Sequence, residues 1–187
     1  MEDELAFIID SAEEHMTKSI KHLEETLSKI RAGRANPEML AGVRVEYYGS
    51  MTPLPQVSNI NTPDARTITV QPWEKGLMQE IEKAILNANL GFNPGNNGDM
   101  IIISVPPLTE ERRRELAKEA HKIAEDSKVG VRGARKEAND EIKKLGNEGL
   151  SEDLVKDNEE EIQQLTNKFI KKIDDHYDHK EAEIMKV

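Results

Sequence analysis

Residues 105–146 read VPPLTEERRRELAKEAHKIAEDSKVGVRGARKEANDEIKKLG. Pro106-Pro107 closes whatever precedes it, because proline lacks a backbone N–H and pushes its predecessor out of the helical region. Thr109 then stands where a helix N-cap belongs, and Glu110 and Glu111 complement the positive helix end. From there to about Leu145 no proline intervenes. Ala120, Ile123, Ala134, Ala138, Ile142 and Leu145 recur on one side. Gly130 and Gly133 are weak points in this helix, each costing about 1 kcal/mol relative to alanine. One long helix with one apolar stripe demands partner helices, and that demand decides the fold.

The partners lie on either side in the chain. Downstream, Gly146 and Gly149 suit a helix exit. Ser151 caps a last helix, with Leu150 and Val155 spaced as a hydrophobic staple. Ile162, Leu165, Phe169, Ile173 and Tyr177 give that helix its stripe. At the other end, Glu2 to Ile30 carries apolar residues at steps of three and four, with Ile9, Met16, Leu23 and Ile30 spaced by seven. The expected fold is α+β, with residues 1–30 and 106–187 forming a long antiparallel three-helix bundle.

Residues 31–105 have a different texture. Val43–Tyr47, Thr67–Val70 and Met100–Ile103 read as strands, separated by Tyr48-Gly49-Ser50, Thr62-Pro63-Asp64 and Asn96-Asn97-Gly98 turns. Leu77, Ile81, Ala84, Ile85 and Leu86 mark one helix, and Trp73 reads as a core anchor. A small β/α/β domain inserted in the bundle is expected. Two chain crossings, at 31–34 (Ala32, Gly33, Arg34) and 104–107 (Val105, Pro106, Pro107), make a hinge.

Net charge is −10 and the pI about 5.1, which taken globally opposes nucleic-acid binding. Exposed charges are screened over roughly 8 Å at physiological salt, however, so a local basic face acts independently of the total. The chain has no cysteine, which excludes disulfides and thiolate chemistry. It contains no apolar run of the length a membrane span needs. Its acidic start, MEDELAFIID, lacks the marks of a signal peptide, so a cytoplasmic protein is expected.

The constellation with functional shape lies on the long helix of residues 109–145. At about 100° per residue, Arg114, Lys118, His121, Lys128, Arg135, Lys136 and Lys143 fall within about 60° of Arg132. Only Glu125 interrupts them. The row extends over about 30 residues, or roughly 45 Å, enough to track a phosphate backbone. The competing reading is a solvated face paired to neighbouring acids. Catalytic signatures are missing. His176 and His179, three apart, read as surface residues rather than metal ligands, and His15 and His22 as surface or core-edge positions. Gly91 to Gly98 reads as a turn before a strand rather than a phosphate loop. No catalytic residue, metal site or cofactor is expected.

Several segments, in order along the whole chain, resemble the ribosome recycling factor family. They are KIRAGRANP (29–37), VEYYG (45–49), IEKAI (81–85), LGFNP (90–94), PPLTEERR (106–113) and KEAEIM (180–185). The resemblance implies an L-shaped, tRNA-sized monomer that is not an enzyme. It implies binding to 23S-type ribosomal RNA of the large ribosomal subunit after termination, and splitting of the ribosome with elongation factor G and GTP. It places the key arginine on Arg132 and the next basic position on Arg135. The expected RNA contacts are Arg31, Arg112, Arg114, Lys118, Lys122, Lys128, Arg132, Arg135 and Lys136. Gly133, Lys136 and Glu137 depart from the family's usual Asn, Arg and Asp. Lysine keeps the charge but loses the bidentate fork. The rival reading is an acidic coiled-coil adaptor or chaperone-like module that binds other proteins.

Overall fold

The computed structural model describes residues 1–186. These residues form two compact units, one of residues 1–32 and 110–186 and one of residues 33–109. Three long helices build the first: α1 (Glu2–Ser28), α3 (Glu110–Asn147) and α4 (Glu152–Met185). Helix α2 (Met78–Asn87) belongs to the second.

The bundle's directions follow from its contacts. Arg113, near the start of α3, donates to the carbonyls of Met185 and Lys186 at the end of α4, so these two helices are antiparallel. On α1, Asp3 and Phe7 face Glu141 and Glu148 while His22 faces Asp126, so α1 also opposes α3. Ser151 accepts a hydrogen bond from the Leu154 N–H at 3.3 Å and opens α4 as expected. Gly149, at φ +112°, makes the turn before it in a region side chains rarely adopt.

One end of the bundle core joins Leu5, Ile8, Ala12, Ala138, Ile142, Leu145, Leu150 and Ile162. The stripe of α3 is wider than the sequence pattern alone suggested. Leu116, Ala124, Ser127 and Val131 are buried as well, while Ile123 is only half-buried. The two glycines part company. A Cβ on Gly130 would stand 3.1 Å from the Ser19 hydroxyl, so glycine lets α1 approach there. A Cβ on Gly133 would meet nothing within 4 Å.

The second unit holds six strands rather than the three expected: β1 (Arg44–Tyr47), β2 (Ser50–Pro53), β3 (Ser58–Asp64), β4 (Thr67–Pro72), β5 (Pro94–Asn96) and β6 (Ile101–Ser104). β1 and β2 form a hairpin whose two loop residues, Tyr48 and Gly49, have φ of +47° and +81°. A right-twisted two-residue hairpin of the primed type requires such angles. The other four make an antiparallel sheet in the order β3-β4-β6-β5. β3 escaped the sequence reading because Ile60 is its one large apolar residue. It survives as an edge strand, irregular between Asn61 and Asp64, where Pro63 is tolerated. Ile68, Val70, Ile101 and Ile103 pack against Ile81 and Ile85 of α2 (Met78–Asn87).

Two core assignments are corrected. Trp73 is 61% exposed and anchors nothing. The period-two alternation of β4 sends Ile68, Val70 and Pro72 inward and leaves Trp73 on the outer side. Leu86 is half exposed, one residue round the helix from buried Ile85.

Ile142 is fully buried where α1, α3 and α4 meet. Ile142→Ala is expected to cost about 2–5 kcal/mol by urea unfolding. A loss below 1 kcal/mol would mean that this end of the bundle collapses freely around the gap.

Candidate nucleic-acid interface

Helix geometry sorts the cations of α3 by what lies on each side. Lys128 and Arg135 sit on the edge of the row that faces α4, and both are engaged there. The Lys128 ammonium is 2.6 Å from Asp174 and 3.3 Å from Glu125, and its side chain is only 16% exposed. Its hydrogen bond to Asp174 holds its pKa above the usual lysine value, against the downward pull of burial. Arg135 is half-buried and donates to the Gln163 side-chain oxygen at 3.3 Å. The ring of His121 meets Tyr177 edge-on at 5.4 Å, with Glu125 4.0 Å from the imidazole. Burial, and then a hydrogen bond with Glu181, push the Tyr177 hydroxyl up to about 12.

The outer side of the row is different. Lys118, Lys122, Arg132 and Lys136 are exposed, and no acid of the described residues lies within ion-pair distance of them. Arg132 lies between Lys122 and Lys136 along the helix. Val129, 65% exposed, sits among them as an apolar spot on the same surface. Arg114 is exposed but ion-paired to Glu110 at 2.5 Å, one turn before it. Lys143 lies 3.9 Å from Glu159 of α4. Arg112 pairs with Glu115 at 2.9 Å and points about 160° away from Arg132, off the row altogether. Arg31 is exposed just beyond the end of α1.

The nine expected contacts thus differ in their surroundings: Arg31, Lys118, Lys122, Arg132 and Lys136 are exposed with no acid of the described residues at ion-pair distance, while Lys128 is a bundle cross-link. Arg113, absent from the prediction, is structural too. Its guanidinium satisfies carbonyls left open at the C-terminal end of α4, the usual place for a cation. The acidic partners of Lys128 and Arg135 lie on neighbouring turns and on α4, which periodicity within α3 does not reveal.

Comparison with known proteins decides what kind of chain carries this face. The profile of the family described as "Ribosome recycling factor" matches residues 23–185. The chain belongs to the ribosome recycling factor family. The ribosome-recycling factor of Flavobacterium johnsoniae is 65% identical over 187 residues, covering 100% of both chains. A ribosome recycling factor solved in solution superposes with a TM-score of 0.73 at 41% identity, covering 98% of each chain. A second similar structure is the T. thermophilus ribosome recycling factor bound, with E. coli elongation factor G, to the E. coli post-termination complex. It gives a TM-score of 0.61 at 45% identity over 97% of this chain and 99% of that one. The α+β architecture of long helices with a small β domain is that of these recycling factors, which are translation factors. Among the described residues no helix is long and apolar enough to cross a membrane.

The contrast between Lys128 and Arg132 is measurable. Lys128→Met is expected to lower the urea midpoint, because it strands Asp174 beside a half-buried site. Arg132→Ala should change the unfolding free energy by no more than about 0.5 kcal/mol, as for an unpartnered surface residue. Equal losses in the two variants would show that Arg132 is also bundle structure.

Alkaline titration gives a second test. Lys128 and Tyr177 both have folded values above their ordinary 10.5 and 10.0. The stability they contribute is complete below the lower of those values and is lost as pH rises through the folded ones. Unfolding midpoints should fall between pH 10 and about 12, and Tyr177→Phe should flatten part of that fall. An unchanged profile in Tyr177→Phe would contradict the burial assigned to this hydroxyl.

Proposed function

We propose that this protein, working in the cytoplasm, lays the outer basic side of α3 on 23S-type ribosomal RNA of the large subunit after termination, and with elongation factor G and GTP drives the subunits apart. The observation that carries the reading is the row Lys118, Lys122, Arg132 and Lys136, exposed and without acidic partners in a chain of net charge −10. A cation row of this kind supplies sequence-independent attraction to phosphates, and folded RNA is met through backbone and shape. Nothing in the reading requires a covalent step, a cofactor or a metal from this chain, and a monomer suffices.

The second unit is the proposed lever, with the crossings at 31–34 and 104–107 as its hinge. Gly33 has φ +75°, and a Cβ there would stand 2.5 Å from Leu108 Cγ. Proline, fixed near −65°, cannot take this position without a backbone change, so a proline substitution does not merely stiffen it. Elongation factor G acts, in this reading, by favouring one lever orientation over others.

The binding step is tested by co-sedimentation with purified large subunits over a salt series. Arg132→Ala should weaken binding about tenfold and reduce the slope of log affinity against log salt by about 1. Lys128→Met, judged below its unfolding range, should leave that slope as it is. Unchanged affinity and slope in Arg132→Ala would remove the basic row from the mechanism. The adaptor reading would then gain, since it needs no RNA contact.

A further inference from the structure

At the end of the bundle formed by the start of α1 and the end of α3, Phe7 is 69% exposed on an otherwise well-sorted amphipathic helix. It borders an open slot of about 430 Å³. The floor is Ile8 and Leu145, both buried members of the bundle core, so the slot opens directly onto apolar surface. Its rim is acidic. Asp3 and Glu4 come from α1, Glu141 from α3 and Glu148 from the turn just after it, and Lys144 is the one basic side chain among them. Glu4 is met by the N-terminal ammonium at 3.1 Å, while none of the described cations lies within ion-pair distance of Asp3, Glu141 or Glu148.

We propose that this slot is a docking site for a cationic protein segment, one that presents an arginine or lysine to the Phe7 ring and the surrounding carboxylates and an apolar side chain to the floor. Three features converge on that occupant. An aromatic face attracts a cation, most strongly where water is excluded. Uncompensated carboxylates around an apolar floor complement a basic partner and steer its approach. The same carboxylates repel phosphates, so RNA and anionic lipid are poor occupants. On α3, Glu141 lies about 180° round the helix from Arg132. The bundle therefore offers an RNA-facing side and, away from it, a protein-facing slot. The inference rests on the reading of the chain as a ribosome-bound factor, because the partner is sought among the basic proteins of the large subunit.

The test uses the full chain with a photo-reactive benzoylphenylalanine in place of Phe7, bound to purified large subunits, with co-sedimentation measured in parallel. The expected result is an adduct to a Lys/Arg-rich segment of a ribosomal protein, identified by mass spectrometry. That adduct should fall at least fivefold in the double variant Glu141→Lys, Glu148→Lys, while co-sedimentation is kept. Three results would overturn the proposal in a chain that still sediments: adducts to ribosomal RNA alone, adducts between two copies of this chain, or no adduct. Failure of the unsubstituted chain to sediment with subunits would instead sink the ribosomal reading itself, and this proposal with it.

Discussion

Everything in the bundle depends on how α3 divides its circumference. A helix of 38 residues with a single apolar stripe has little reason to persist alone in water. Its stability comes from burying Leu116, Ala120, Ala124, Val131, Ala138 and Ile142 against α1 and α4. Two neighbours can cover only part of a helix. The remaining arc must face water, and on α3 that arc holds Lys118, Lys122, Arg132 and Lys136. The same packing that makes the helix possible thus fixes which cations are free. It also fixes which are consumed: Lys128 and Arg135, at the border with α4, are tied to Asp174 and Gln163.

This division reconciles an acidic protein with an RNA-facing role. A net charge of −10 is spread over a long surface, and at physiological salt it is screened over roughly 8 Å. What a phosphate meets is the local face. The acids of α3 that would neutralise that face are mostly elsewhere. Glu137 faces His15 of α1, and Glu141 stands beside Phe7, joined there by Glu148 just past the helix end. Segregation of sign around one helix gives a single rigid element opposite charge on opposite sides.

Much of the architecture was legible in the sequence because long helices announce themselves. Pro106-Pro107, the uninterrupted run to Leu145 and the Ser151 cap set the order and the ends of α3 and α4 within a few residues. The β-rich unit was less legible. β2 and β3 are short and polar, and their pairing is held by turn geometry at Tyr48-Gly49 and by neighbours in the sheet rather than by apolar alternation. Trp73 misled because its type suggests burial, whereas the alternation of β4 places it outside. The cation row of α3 was legible as a direction, but which of its members are tied into the bundle was not. Angle along a helix gives Lys128 and Arg132 nearly the same standing. Only the position of Asp174 on another helix separates a cross-link from a free cation. Gly130 and Gly133 likewise look alike in sequence, and only the approach of Ser19 distinguishes them.

The most direct measurement of the central claim is light scattering of post-termination ribosomes mixed with this protein, elongation factor G and GTP. The account predicts a GTP-dependent fall in scattering as subunits part, slowed when Arg132 is replaced by alanine and preserved when stability-matched surface changes are made on other faces. A folded protein that leaves scattering unchanged with matched-species factors, or an Arg132 variant that splits ribosomes at the full rate, would contradict it.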